Sequence, residues 1–261
     1  MMDYYDCHAH LADERLRGKL DFIVRECEGR SVRGVVVAAA RHLDWSPVLQ
    51  ICTRPGFLAA LGLHPFFLED WTPSLPDELR TAVTSNSSVV AIGEIGLDFW
   101  HGREDESRQL EAFEQQLSIA AEQGLPGIFH NRKSWPDFFA VLRRTPSKAG
   151  GVCHHFTGSV EVACEALDHG LHLSFCGPIT YANAHRIRAA AAFTPLDRLL
   201  VETDCPDLPA ASHRGELSMP WQVSEVVEEI ARAKTIPVRE AAEAIQQNFQ
   251  RLFDSVEHEE C

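Results

Sequence analysis

The stretch that decides the fold is Tyr4-Tyr5-Asp6-Cys7-His8-Ala9-His10-Leu11. Its apolar start reads as a strand beginning at Tyr4, and in an extended chain residues two apart share a face. His8 and His10 are therefore expected to present both imidazoles to one space, with Cys7 and Ala9 facing away. That is the arrangement of a metal-binding pair, although an isolated H-x-H is equally compatible with two solvent-facing histidines. The stretch also disfavours a doubly wound nucleotide-binding sheet, which would carry a Gly-rich phosphate loop after its first strand.

Outward from this point the chain alternates helical and strand-like runs. A helix is predicted over 14–28, with Leu16, Leu20, Ile23, Val24 and Cys27 at helical spacing. Val35-Val36-Val37-Ala38 is continuously apolar, as in a strand buried on both faces of a parallel sheet. Helices follow over 47–53, 76–85, 105–123, 135–143, 160–169 and 184–193, interleaved with strands over 57–63, 89–95, 127–130, 151–155, 171–175 and 199–203. Two more helices, 220–233 and 237–253, end the pattern. About eight strands, each followed by a helix, predict a single-domain α/β (β/α)8 TIM barrel over residues 1–261, with the metal site at the C-terminal face of the strands. The stretch from Cys205 to Met219 becomes the loop over that face.

Composition sets outer limits. The chain has 261 residues and 45% hydrophobic content, enough to bury a substantial core, and no apolar run of membrane-span length. The start Met1-Met2-Asp3 lacks the basic region and apolar stretch of a signal peptide, so a cytoplasmic location is expected, with no membrane partner. A monomer is expected. The eight cysteines include no C-x-x-C, which predicts reduced, mostly buried thiols. A formal net charge of −14 argues against tight nonspecific binding of long duplex nucleic acid, which needs a basic face.

The predicted strands end in chemistry. Strand one ends in His8 and His10, strand three in Gly62-Leu63-His64-Pro65, and strand four in Gly93-Glu94-Ile95-Gly96-Leu97-Asp98. Strand five ends in His130-Asn131-Arg132, strand six in His154-His155-Phe156, and strand eight in Glu202-Thr203-Asp204-Cys205-Pro206. Any one of these is readily a polar group satisfied by backbone or the start of a turn. Six on one rim point to a metal centre.

The same blocks, with QLEAFEQQLSIA, LPGIFHNR and the terminal NFQRLF, resemble the TatD family of metal-dependent hydrolases among the amidohydrolase-like barrels. The resemblance covers almost the whole chain in order. It implies two divalent metal ions (zinc, manganese or magnesium), held by His8, His10, Glu94, His130, His154 and Asp204, with Glu94 bridging or capping them. It also places His64 near substrate. His155 stands where the family often has cysteine, and a shift of one would exchange it with His154. Ser218-Met219-Pro220 departs from the Asn-Glu-Pro of relatives.

Such a ligand set suits an activated water, with Asp204 as general base and Glu94 fixing the ions about 3.5–4 Å apart. A positive well in an acidic protein attracts a phosphodiester, and Arg132, Lys133 and Arg214 are candidates for further phosphate contacts, with Arg132 and His155 grouped with His64 as substrate-binding. The family implies a deoxyribonuclease of the 3′-5′ exonuclease type, acting on short or single-stranded DNA ends. An amide or ester hydrolase, including D-aminoacyl-tRNA deacylase-type activity, is the first alternative. Its dihydroorotase-like form needs a modified lysine after strand four, where Glu94 stands. A noncatalytic metal-bound scaffold is the second, separated from the enzymes by whether Asp204→Asn abolishes hydrolysis.

Overall fold

The run Val32–Ala38 forms strand β2, and its continuous apolar sequence is what a strand covered on both faces requires. The structure, a computed structural model, describes residues 2–147 and 149–253. Strands β1 (Tyr4–Ala9), β3 (Phe57–Leu61), β4 (Val89–Asp98), β5 (Gly127–Arg132), β6 (Gly151–Cys153), β7 (His172–Phe175) and β8 (Leu199–Val201) join β2 in one eight-stranded sheet in sequential order. Every ladder is parallel. Helices α1 (Leu20–Gly29), α2 (Trp45–Ile51), α3 (Leu75–Thr84), α4 (Glu106–Gln123), α5 (Trp135–Arg144), α6 (Val160–Asp168) and α7 (His185–Phe193) fill the crossovers, and α8 (Val223–Lys234) and α9 (Val238–Phe253) follow β8. This is the (β/α)8 barrel that the alternating pattern predicts.

Two hydrophobic layers follow from strand alternation. Val35, Val37, Ala59, Leu61, Phe129, Leu173 and Val201 point outward and pack with the helices. Cys7, Val36, Ala38, Ala60, Ile128, Val152 and Leu200 point inward and fill the barrel. The N-terminal mouth is plugged by Phe249, Leu252 and Phe253 of α9, with the Phe249 ring centroid 4.9 Å from that of Tyr5. Gly34 makes room for this plug, because a Cβ there would lie 2.9 Å from the Phe249 ring. The C-terminal mouth stays open.

Boundaries differ where backbone chemistry intervenes. The helix expected over 14–28 is broken: Asp13 accepts the Arg15 N–H to cap a single 3-10 turn, Glu14–Leu16, and Gly18 turns the chain at φ +76° before α1. β6 and β8 end two residues short of prediction, and the next residues turn sharply, with His155 at φ +44° and Asp204 at φ +52°. β4 and β5 run further than predicted, to Asp98 and Arg132. The described cysteines are free thiols, all buried except Cys164; Cys261 and Lys148 lie outside the described residues. No helix among the described residues is long and apolar enough to cross a membrane.

Removing the plug should be costly. Phe249→Ala is expected to lower unfolding free energy by about 3–5 kcal/mol in urea titrations, the usual loss for a buried aromatic. By contrast Leu43→Ala, at a side chain 72% exposed, should stay within about 0.5 kcal/mol of the parent.

Candidate metal centre

The local fold of β1 depends on a register shift. Asp6 pairs with Val35 of β2 but Ala9 with Val37, so three steps of β1 lie against two of β2. Such a bulge resets the alternation of side chains. Cys7 therefore does not face away: it points into the barrel, where its Sγ–H donates to Ser174 Oγ at 3.1 Å. Ala9 does face outward, and His8 and His10 still meet, with their Nε2 atoms 3.0 Å apart.

The seam between β8 and β1 brings Asp204 to this pair. A single isolated bridge, Ala9 to Cys205, links them, with the His10 N–H donating to Cys205 O at 2.6 Å and the Asp204 N–H to His8 O at 3.1 Å. Below it the buried Asp6 carboxylate replaces the ladder. Its Oδ1 accepts from Thr203 N–H (3.0 Å) and His8 N–H (3.2 Å), and its Oδ2 accepts from Thr203 Oγ1 (2.5 Å). Burial pushes the Asp6 carboxyl up to about 8, against the downward pull of these hydrogen bonds.

Two groups of candidate donor atoms meet at Glu94. On one side Glu94 Oε2 lies 3.4 Å from His8 Nε2 and 3.3 Å from His10 Nε2, and Asp204 Oδ1 lies 3.5 and 3.6 Å from the same nitrogens. These spacings match the ~3.3 Å ligand-to-ligand edge implied by four ligands at about 2.0–2.1 Å from one ion. On the other side Glu94 Oε1 lies 2.7 Å from His130 Nδ1 and 2.8 Å from His154 Nε2, which are themselves 3.2 Å apart.

The outer nitrogens show why this cluster suits a cation. His10 Nδ1 donates to Ala38 O at 3.1 Å, and His130 Nε2 donates to Asp98 Oδ2 at 2.9 Å. His154 Nδ1 faces Glu202 Oε1 at 3.4 Å. The His10 and His130 contacts give the far nitrogen of each ring an acceptor and leave the near nitrogen facing Glu94. Lone pairs and carboxylate oxygens packed this closely repel unless positive charge lies between them, which is the arrangement of a histidine metal site with carboxylate or carbonyl partners behind it. Against burial, Glu94 pushes His10 up to about 9 and His154 well above the ordinary imidazole range, so protons and a metal ion compete for the same space. Burial opposes ionisation of Glu94, yet His154 and His64 hold it well below the usual carboxylate range. Burial, with Glu94 and Glu202, pushes Asp204 up to about 7.

The supports are themselves anchored. Backbone N–H and O of Asp98 bond the amide of Gln109 on α4 at 2.8 and 2.9 Å. Gly96 sits at φ +143° where a Cβ would meet His130 O at 2.0 Å, so only glycine lets β4 approach β5 beside this ligand. Glu202, fully buried, accepts the His155 N–H at 2.5 Å. Burial raises the Glu202 carboxyl, but His154 and His8 hold it down at about 2.

The other candidates line a cleft of about 690 Å³ above Glu94, among them His64, His155 and Arg132. His64 Nδ1 accepts the Phe66 N–H at 3.0 Å, leaving the Nε2 proton directed toward Glu94 Oε1 at 3.5 Å. His64 is thus a donor toward the cleft, not a lone pair. Of the neighbouring histidines, His154 reaches Glu94 and His130, whereas His155 turns aside into the cleft wall. Arg214 does not line this cleft. It stacks on Tyr181 beside a separate hollow, 4.3 Å from the ring centroid. Ser218 bonds Thr203 O through Oγ at 3.0 Å and Pro206 O through N–H at 3.0 Å, fixing the loop after β8.

A family model for TatD related DNase matches residues 5–254. The chain belongs to that family. It is a metal-dependent hydrolase. Bacillus subtilis YabD, named an uncharacterized metal-dependent hydrolase, is 35% identical over 251 residues, 95% of this chain and 98% of that protein. The crystal structure of Escherichia coli YjjV, a TatD homolog, superposes with a TM-score of 0.92 at 30% identity, covering 96% of this chain and 98% of the other. Pantoea vagans TatD, named a 3′-5′ ssDNA/RNA exonuclease, is 29% identical over 257 residues, 95% of this chain and 98% of that protein.

Within this TatD-family fold, Asp6, Asp98 and Glu202 escape the strand-end pattern, which collects the last two without a role. Even spacing offers a signal: Asp6 stands two before His8, and Asp98 four after Glu94. Asp98→Asn should weaken metal binding about 10–100-fold in chelator-competition titrations, as loss of a carboxylate behind a histidine ligand generally does. The circular dichroism spectrum should be unchanged.

Proposed function

We propose that the chain is a phosphodiesterase acting stepwise, in the 3′-5′ direction, on single-stranded nucleic-acid ends, with two divalent ions held around Glu94. His8, His10, Glu94 and Asp204 would hold one ion, and His130, His154 and Glu94 the other. The observation that carries this reading is the convergence of histidine ring nitrogens on both oxygens of Glu94 at the floor of an open cleft. The printed activity of the Pantoea vagans relative supports the choice of substrate. We take residues 1–261 as one functional unit.

The bound ions would supply Lewis-acid polarisation of the phosphoryl oxygens and lower the pKa of a shared water toward neutrality. Asp204, whose Oδ1 faces the first ligand pair, accepts the proton of the attacking water. His64 donates its Nε2 proton toward a non-bridging oxygen, and its Nδ1 contact with Phe66 keeps it in that tautomer. Arg132, on the cleft wall, meets a neighbouring phosphate, and His155 helps to shape the wall. Walls that rise around Glu94 favour a strand end over a duplex lying across a surface.

The test is hydrolysis by metal-stripped protein reconstituted separately with magnesium, manganese or zinc. A 5′-labelled single strand should give a ladder of shortened products, duplex should react more slowly, and His130→Ala should be inactive. Loss of all phosphodiester hydrolysis in every reconstituted form would overturn the reading. Asp204→Asn should retain metal, bound more weakly, while the single-turnover rate at saturating metal falls by about 10²–10⁴, the range for a general base.

A further inference from the structure

The loop after β4 holds an aromatic, Trp100, that the catalytic reading leaves unused although Arg132 rests on it. Trp100 is 48% exposed in an acidic protein, and two cations lie against its ring, Arg132 Cζ at 4.0 Å and Lys133 Nζ at 4.1 Å from the centroid. Other arginines on this face are neutralised: Arg15 by Asp13 and Asp207, Arg41 by Asp70, and Arg103 by Asp137. Among the described residues Arg132 and Lys133 form no ion pair with a carboxylate. Their charge is held in place by an aromatic face and remains open to an anion.

Backbone geometry ties this cation pair to the centre. Asp98 pairs with Arg132 in the β4–β5 ladder, and the Phe99 N–H donates to Arg132 O at 2.9 Å. Asp98 Oδ1 accepts the Trp100 N–H at 2.7 Å while its Oδ2 holds His130. Lys133 takes a left-handed turn at φ +57°, and the next residue, Ser134, is locked by its Oγ to Leu97 O at 2.9 Å. The cleft wall that carries Arg132 also carries Phe66, 46% exposed and edge-on to His64 at 4.8 Å, with its ring centroid 6.2 Å from that of His130. An exposed aromatic face followed by fixed, unneutralised cations is the pairing that binds single-stranded nucleic acid, by stacking and by phosphate contact.

We propose that Phe66 stacks the base next to the scissile linkage and that Arg132 and Lys133, seated on Trp100, hold the following phosphate. This subsite rests on the phosphodiesterase reading above and deepens it: the preferred substrate is a single-stranded oligonucleotide of at least two linkages, not an isolated diester. Trp100 is a positioning residue in this scheme, since it acts through the cations.

The test uses magnesium-loaded protein with two substrates, a fluorescent oligothymidylate with phosphorothioate linkages for binding and bis(p-nitrophenyl) phosphate for hydrolysis. Trp100→Ala and Phe66→Ala should each weaken oligothymidylate binding about tenfold by fluorescence anisotropy, within the range for a lost stacking face. Lys133→Gln should reduce the slope of log affinity against log salt by about 0.7, one single-strand phosphate contact. Trp100→Tyr, which keeps an aromatic face, should retain most of the affinity. Hydrolysis of the small diester should change less than about twofold in Trp100→Ala, because it spans only one linkage. Unchanged oligothymidylate binding in Trp100→Ala, or a parallel fall in small-diester hydrolysis, overturns the subsite. If the parent protein cleaves no diester yet binds oligothymidylate in a Trp100-dependent way, the phosphodiesterase reading falls and the subsite stands.

Discussion

Closure of the barrel at one polar seam is the constraint from which the centre follows. Seven ladders are made by backbone alone, but β1 and β8 share only the Ala9–Cys205 bridge with its two backbone hydrogen bonds, and below it the Asp6 carboxylate gathers two N–H groups and the Thr203 hydroxyl. A buried carboxylate with three donors is a strong local join, and it works only when every donor is present. It stands two residues from His8 and one from the turn into Asp204. Together the bridge and the carboxylate hold the strand-one histidines beside the strand-eight aspartate.

Glu94 is the second fixed point, and its surroundings explain why the floor of the cleft is so polar. The near nitrogens of His10, His130 and His154 are aimed inward while each far nitrogen is engaged or faced by an acceptor: Ala38 O, Asp98 and Glu202. An apolar barrel interior below and a helical shell outside leave these groups no alternative partners. The arrangement is therefore preorganised for a cation, with the reorganisation cost met when the chain folds and not when the ion arrives.

Much of this was legible in the residues. Continuous apolar runs such as Val35-Val36-Val37-Ala38 announced buried parallel strands, and histidines and carboxylates at successive strand ends announced a shared rim. The parity of β1 was not legible, because a bulge is a relation between two strands and Asp6 to Ala9 contain no signal of it on their own. The break at Gly18 was readable in principle, since helical spacing continued through it only in Leu16. Asp98 and Glu202 were visible as residues but not as supports. Their partners lie 32 and 48 residues away, and only the barrel places them there. The stacking of Arg132 and Lys133 on Trp100 is tertiary in the same sense.

The seam has a temporal side. Asp6 and Thr203 are separated by 197 residues, so at a translation rate of about 5–20 residues per second the first strand waits roughly 10–40 s for its partner to be synthesised. The α9 plug that packs on Tyr5 is made later still. During that interval a nascent chain holds His8 and His10 without Asp204, half a binding site exposed to whatever ions the surroundings contain. Only a chain that has been read through β8 can bring Asp204 to His8 and His10.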